Sequence, residues 1–133
     1  MPLDTRWDQV SDEAWKDFAK GWLAELALES DEKTEDDWRG RVVMMNFTAS
    51  SAAQWKFILA VMDAARTADD RSHIAAGPVE HLLWKHGEEF IGHLEQLAAD
   101  DAEWAEMIRG VWRHMISDAV WERVLAIQNP NAG

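Results

Sequence analysis

Residues 11–26 read SDEAWKDFAKGWLAEL, and their spacing decides the fold class. Trp15, Phe18, Trp22 and Leu26 recur at steps of three, four and four, and Ala19 and Leu23 widen the stripe. A backbone with about 3.6 residues per turn brings those side chains onto one face. Ser11 offers a hydroxyl to the first free N–H groups, while Asp12 and Glu13 set negative charge at the positive end of the helix dipole. Gly21 sits inside the pattern at a cost of about 1 kcal/mol against alanine. The stretch predicts an amphipathic helix of about 18 residues ending near Glu29.

Working outward, residues 1–10 read as an extended arm that Trp7 and Val10 can tuck onto the body. The segment SDEKTE at 30–35 is polar and turn-like, and Asp36 is placed to cap a second helix with Trp38, Val42 and Met45 on one face. VVMMNF at 42–47 also suits a strand, but nothing else in the chain looks like its partner, and a lone strand leaves its backbone groups unpaired. Helix is therefore the preferred reading. Thr48, Ser50 or Ser51 caps a third helix, with Trp55, Ile58, Leu59 and Met62 as its buried stripe and Phe57 and Val61 beside it. Asp69 or Asp70 opens a short helical piece that runs to Ala76.

Gly77-Pro78 is the strongest punctuation, since Gly can close one helix and Pro can open the next. Val79, Leu82 and Leu83 face inward after it, and Gly87 ends or bends that helix behind His86. Phe90, Ile91, Leu94, Leu97 and Ala98 mark a further helix. Asp100 or Asp101 then caps one bearing Trp104, Met107, Ile108, Val111 and Trp112, with Gly110 as a break. Ser117 or Asp118 caps the last, where Val120, Trp121, Val124 and Leu125 turn inward. The expected fold is all-α, a compact single-domain bundle of about seven or eight short helices over residues 11–127, with a flexible tail at 128–133.

Composition narrows the function classes. The 133 residues contain no cysteine, so disulfides and thiolate chemistry are excluded. The 25 acidic residues outnumber 13 basic ones, a net charge of −12 that repels phosphate backbones and anionic lipid. Direct nucleic-acid and membrane binding are not expected. No apolar run is long enough to cross a bilayer, and the acidic first residues carry no signal segment, so the expected location is cytoplasmic. Twelve of the acids lie in residues 1–37, against four bases. That places the interface candidates at Glu25, Glu29, Asp31, Glu32, Glu35, Asp36, Asp37 and Trp38. Nine tryptophans with no tyrosine serve either as wide core wedges or as interface anchors.

The chemistry-bearing motifs are sparse. Glycine-rich phosphate loops, nucleophile elbows and H-E-x-x-H pairs are all missing from the sequence. His86, Glu89 and His93 are the candidate metal ligands, because Glu89 and His93 are four apart on a helix; their spacing matches no ligand signature, and no metal or other cofactor is expected. Glu80, two residues past Pro78 and beside His81, is the acid best placed for rigid positioning. With His81 or His86 it forms the weak catalytic candidate. The paired acids at predicted helix starts are explained by the helix dipole without catalysis.

Ala75-Ala76-Gly77-Pro78-Val79-Glu80-His81-Leu82-Leu83, His86-Gly87, Phe90-Ile91 and Gly110-Val111-Trp112 together resemble a family of small uncharacterised bacterial helical domains. Its pattern is GPLE-x-LL, then HG, then GVW near the C-terminus. Val79 stands where that family more often has Leu. Asn46-Phe47 and Trp55-Lys56-Phe57-Ile58-Leu59 look similar to its middle part. The resemblance implies a helical bacterial domain and no activity. The expected function is a non-enzymatic acidic module that binds a protein with a basic or mixed surface, with inhibition or toxin neutralisation as examples. A small-ligand or hydrolytic domain built on Glu80 with His81 or His86 is the alternative.

Overall fold

The computed structural model describes residues 2–28 and 35–130. All regular structure in them is helical, as the apolar periodicity requires, and the chain divides into two compact units, Met1–Arg66 and Thr67–Gly133.

The first unit holds a 3-10 helix, Thr5–Gln9, and three α-helices, α1 (Asp12–Leu26), α2 (Trp38–Thr48) and α3 (Ser51–Ala64). The 3-10 turn replaces the expected extended arm. It is fixed because the Asp4 N–H donates to Thr48 O at 2.7 Å and the Trp7 indole N–H donates to Thr48 Oγ1 at 2.9 Å. Ser11 and Ser50 cap α1 and α3 through their hydroxyls. Asp37, rather than Asp36, caps α2, adopting a left-handed φ of 48° to accept from the Gly40 N–H. Helix also replaces the strand alternative at 42–47. The core joins Trp15, Ala19, Trp22 and Leu23 to Val42, Met45, Phe57, Ile58, Val61 and Met62. On α3 the expected stripe is rotated: Leu59 is exposed and Trp55 half-buried, while Phe57, Val61, Ala53 and Gln54 turn inward.

The second unit holds α4 (Ala68–Ile74), a π-helical turn (Ala75–Val79), α5 (Glu80–Asp100), α6 (Ala102–Ile108) and α7 (Asp118–Gln128). Thr67 caps α4 and closes a reciprocal box with Asp70, two or three residues earlier than expected. The expected break at Gly77-Pro78 does not occur. The chain runs helically from 68 to 100, widening into a π-turn around Pro78. Pro78 has no N–H to donate and its ring crowds the preceding turn; the extra residue of a π-turn relieves both problems without ending the helix. Gly77 keeps an ordinary negative φ. Counting 68–100 as one run gives six α-helical rods among the described residues, fewer than expected. A bend does occur at His86, whose φ of −136° and ψ of 28° leave the helical region. Gly87 then lets α7 approach, since a Cβ there would press against Val120 at 3.0 Å. Ser117 caps α7, but Trp121 is only half-buried and Leu125 exposed, leaving Val120 and Val124 as its core residues.

Gly21 is explained by the α1–α2 approach. A Cβ at Gly21 would fall inside the van der Waals radius of the Trp38 ring. That ring is itself held edge-on by Phe18 at 5.6 Å and covered by the Arg41 guanidinium at 4.8 Å. The Gly21→Ala variant is therefore expected to lose about 1–2 kcal/mol, overpacking outweighing the gain in helix propensity. Adding Trp38→Leu restores part of that loss. Urea denaturation checks both, and an alanine variant as stable as wild type rules this account out.

Candidate functional site

The most unusual surface lies in the second unit, where α6 stops and α7 has not begun. Gly110 and Val111 fold back on α6 through N–H bonds to Met107 O (2.9 Å) and Ile108 O (3.0 Å). Val111 and Ile116 are buried and pin the two ends of the loop. Between them the Ile116 N–H donates to Arg113 O at 2.9 Å, closing a turn. The four residues so enclosed, Trp112, Arg113, His114 and Met115, are all exposed. Trp112 is 71% exposed and Met115 63%, the largest outward apolar side chains of this unit. An exposed large apolar surface is more informative than an exposed charge, because burial is its default.

Two polar side chains brace this loop. Gln128, at the end of α7 and assigned above to a loose tail, donates its amide to Ile108 O (2.9 Å) and Val111 O (3.0 Å). Glu80, at the start of α5 behind the π-turn, accepts from the Trp112 N–H through Oε2 at 3.3 Å. Its other oxygen, Oε1, lies 3.1 Å from His114 Nε2. His114 has a left-handed φ of 42°, a strained backbone for a residue with a side chain. Glu80 is 8% exposed. Burial pushes its carboxyl above the usual carboxylate range, and the Trp112 N–H and His114 draw it partly back. Two elements of the motif pattern, Gly77-Pro78-Val79-Glu80 and Gly110-Val111-Trp112, thus meet through one hydrogen bond.

The remaining candidates are distributed as follows. Glu80 is brought to His114, not to the expected His81 or His86. His81 stands edge-on to Trp84, with ring centroids 5.6 Å apart. His86 and Glu89 line a groove of about 330 Å³ with Trp84, Lys85, Glu88 and Ser117, while His93 lies against Phe90. His86, Glu89 and His93 do not converge, and among the described residues no three acids or histidines do so. The kink at His86 breaks the helical register that the metal reading assumed.

Of the interface candidates, Glu25 is a correction. It is 2% exposed, and its two oxygens accept from the Trp38 and Arg39 N–H groups, each at 3.0 Å. Asp37 caps α2 and Trp38 packs on α1, while Glu35 and Asp36 are exposed. Glu29, Asp31 and Glu32 lie outside the described residues. Sequence reasoning missed the part His114 and Gln128 play, and counted Trp112 among the apolar residues of the helix that follows Asp101. The available signal was Gly110, which stops the helix just before Trp112 would join its stripe.

Burial favours the acid form of Glu80, so the folded state holds that proton over a pH range where the unfolded state has lost it. Stability from this group is present below the ordinary glutamate range and falls as pH rises through the raised value. Glu80→Gln keeps an oxygen for the Trp112 N–H and removes the titration. The stability difference between wild type and this variant is expected to shift in the variant's favour from pH 4 to pH 8 (about one carboxyl titration). Parallel stability curves over that interval contradict the assignment.

Comparison with known proteins returns no match among curated proteins or solved structures. A family model does match, over residues 27–132, which spans α2 to α7 and the whole loop site. The chain belongs to that family, a family of unknown function (DUF6869).

Proposed function

We propose that this chain is a non-enzymatic binding module that seats Trp112 and Met115 in an apolar recess of a protein partner with a basic or mixed surface. The carrying observation is the exposure of Trp112 on a loop pinned at both ends. Tryptophan is the side chain most enriched among residues that dominate binding energy. Bracing lowers the ordering entropy that binding must otherwise overcome. The net charge of −12 supports a partner of opposite sign, because the field of the whole molecule steers encounter even where contact is apolar. Arg113 does not oppose this, since it is paired with Asp118.

Glu80 and His114 are read as the brace of the loop rather than as a catalytic dyad. Both carboxylate oxygens already have partners, one in the Trp112 backbone and one in the imidazole. A general base needs a free oxygen within reach of a substrate proton. The acidic composition and the GPVE, HG and GVW elements further support a bacterial, cytoplasmic protein.

Capture of partners by the whole chain tests this reading, comparing wild type with Trp112→Ala and Met115→Ala. Both side chains are exposed, so folding stability stays within about 0.5 kcal/mol. Trp112→Ala is expected to weaken the partner's binding by at least about thirtyfold, with a smaller loss for Met115→Ala. Association slows between about 0.05 and 0.5 M salt as the steering field is screened. A partner bound equally well by Trp112→Ala removes the loop from the interface.

A further inference from the structure

Two titratable side chains hold the 112–115 loop by its own backbone and ring. Glu80 Oε1 lies 3.1 Å from His114 Nε2, and Glu80 Oε2 accepts the Trp112 N–H at 3.3 Å. A carboxyl and an imidazole in contact titrate as a pair, and a proton on one is felt by the other. The carboxyl is buried, whereas the His114 ring is exposed and gives solvent protons a way in.

The other charged groups on the elements around Glu80 are engaged elsewhere or exposed. On α4, Asp70 closes the box with Thr67, Asp69 lies 3.9 Å from His73, and Arg71 pairs with Glu106 of α6. On α5, His81 meets Trp84 edge-on and Lys85 lies over the same ring at 3.9 Å. Past the kink, His86, Glu88 and Glu89 line the groove at Ser117. Glu103 and Arg109 of α6 and Glu122 of α7 are exposed. Arg113 pairs with Asp118 of α7, and Arg123 with Glu95. His114 is the charge that acts on Glu80 among the described residues.

The seated loop is held against two opposing tendencies. His114 has a φ of 42°, a left-handed backbone that its side chain disfavours. Glu80 is kept from water by a loop that covers both of its oxygens, which disfavours the anion. Lifting the loop relaxes the backbone and hydrates the carboxyl. The ends stay fixed meanwhile, because Val111 and Ile116 are buried and Gln128 holds Val111 O. The seated form therefore keeps a proton that the lifted form gives up, and rising pH moves the population toward the lifted form. The upward push of burial on the Glu80 carboxyl has the same direction.

We infer that the loop is a proton-dependent device: Trp112 is seated while the Glu80–His114 pair retains its proton, and loss of that proton to solvent releases residues 112–115. The consequence for binding rests on the reading of Trp112 as an anchor. A released anchor has to be ordered again on contact, so the partner binds more weakly as pH rises.

Amide hydrogen exchange of the whole chain, followed by NMR between about pH 5 and pH 8 and corrected for the intrinsic rate at each pH, tests the device. Protection of the Trp112 and Ile116 N–H groups is expected to fall severalfold as pH rises, while Gly110 and Val111, bonded to α6, keep theirs. Glu80→Gln keeps an oxygen for the Trp112 N–H and has no proton to lose, so its profile is expected to be flat. His114→Gln removes the charge that draws the carboxyl down, so release is expected at higher pH. His114 is exposed, and its variant keeps the test open where the buried Glu80→Gln fails to fold. Wild-type protection at Trp112 that does not change with pH overturns the inference. So does a Glu80→Gln profile that falls as wild type does, or a His114→Gln release at the wild-type pH. The measurement needs no partner, so its failure leaves the anchor reading standing. A partner indifferent to Trp112→Ala removes the anchor and leaves the proton dependence standing.

Discussion

A carboxyl group withdrawn from water needs N–H groups or a cation in place of solvent, and in each unit one buried glutamate reaches across the chain for them. Glu25 projects from the last turn of α1 and takes the first two N–H groups of α2. Those donors have no partner within their own helix, and the positive end of the helix dipole faces the charge. Glu80 reaches a loop in the same way, through one backbone N–H and one imidazole, although there burial outweighs the two partners and favours the acid form. The difference between them is what they hold. Glu25 fixes two helices whose Gly21–Trp38 contact leaves no slack, whereas Glu80 fixes a segment whose side chains remain outside.

Caps and long stripes were legible in the sequence because they are local. Ser11, Asp101 and Ser117 satisfy N–H groups two or three residues away, and α1 shows its buried face in one window. What failed depends on partners far along the chain. Leu59 and Ile58 are adjacent and similarly apolar; only the position of α1 decides which is buried. Gly77-Pro78 carries the signals of a helix end, yet the packing of the surrounding run makes a π-turn the better solution. Glu25 looked like one charge in an acidic stretch, because its acceptors lie 13 and 14 residues away. For the loop site, the helical period simply stops at Gly110, and no periodic argument extends past it.

The nine tryptophans divide by the need of their single N–H. Trp15, Trp22 and Trp104 are buried, and Trp7, Trp38, Trp55, Trp84 and Trp121 are half-buried. Half-burial lets an indole spread its ring over apolar neighbours while its N–H reaches water or a nearby oxygen. This is the wedge role anticipated from composition. Trp112 departs from it. Its ring neither fills the core nor shields an edge, although its own backbone is fastened to Glu80.

The acidic excess has to be divided in the same way before it is read as an interface. Asp12, Glu13, Asp37, Asp69, Asp70, Asp101, Glu103 and Asp118 stand at or beside helix starts, where negative charge stabilises the helix. Glu95 and Glu106 are paired with Arg123 and Arg71. Much of the negative charge among the described residues is therefore accounted for by local structure. The summed field survives that accounting, because a capping carboxylate still repels anions at a distance. Long-range charge thus selects which molecules approach, and the orientation of an encounter falls to the few side chains whose exposure local structure does not explain.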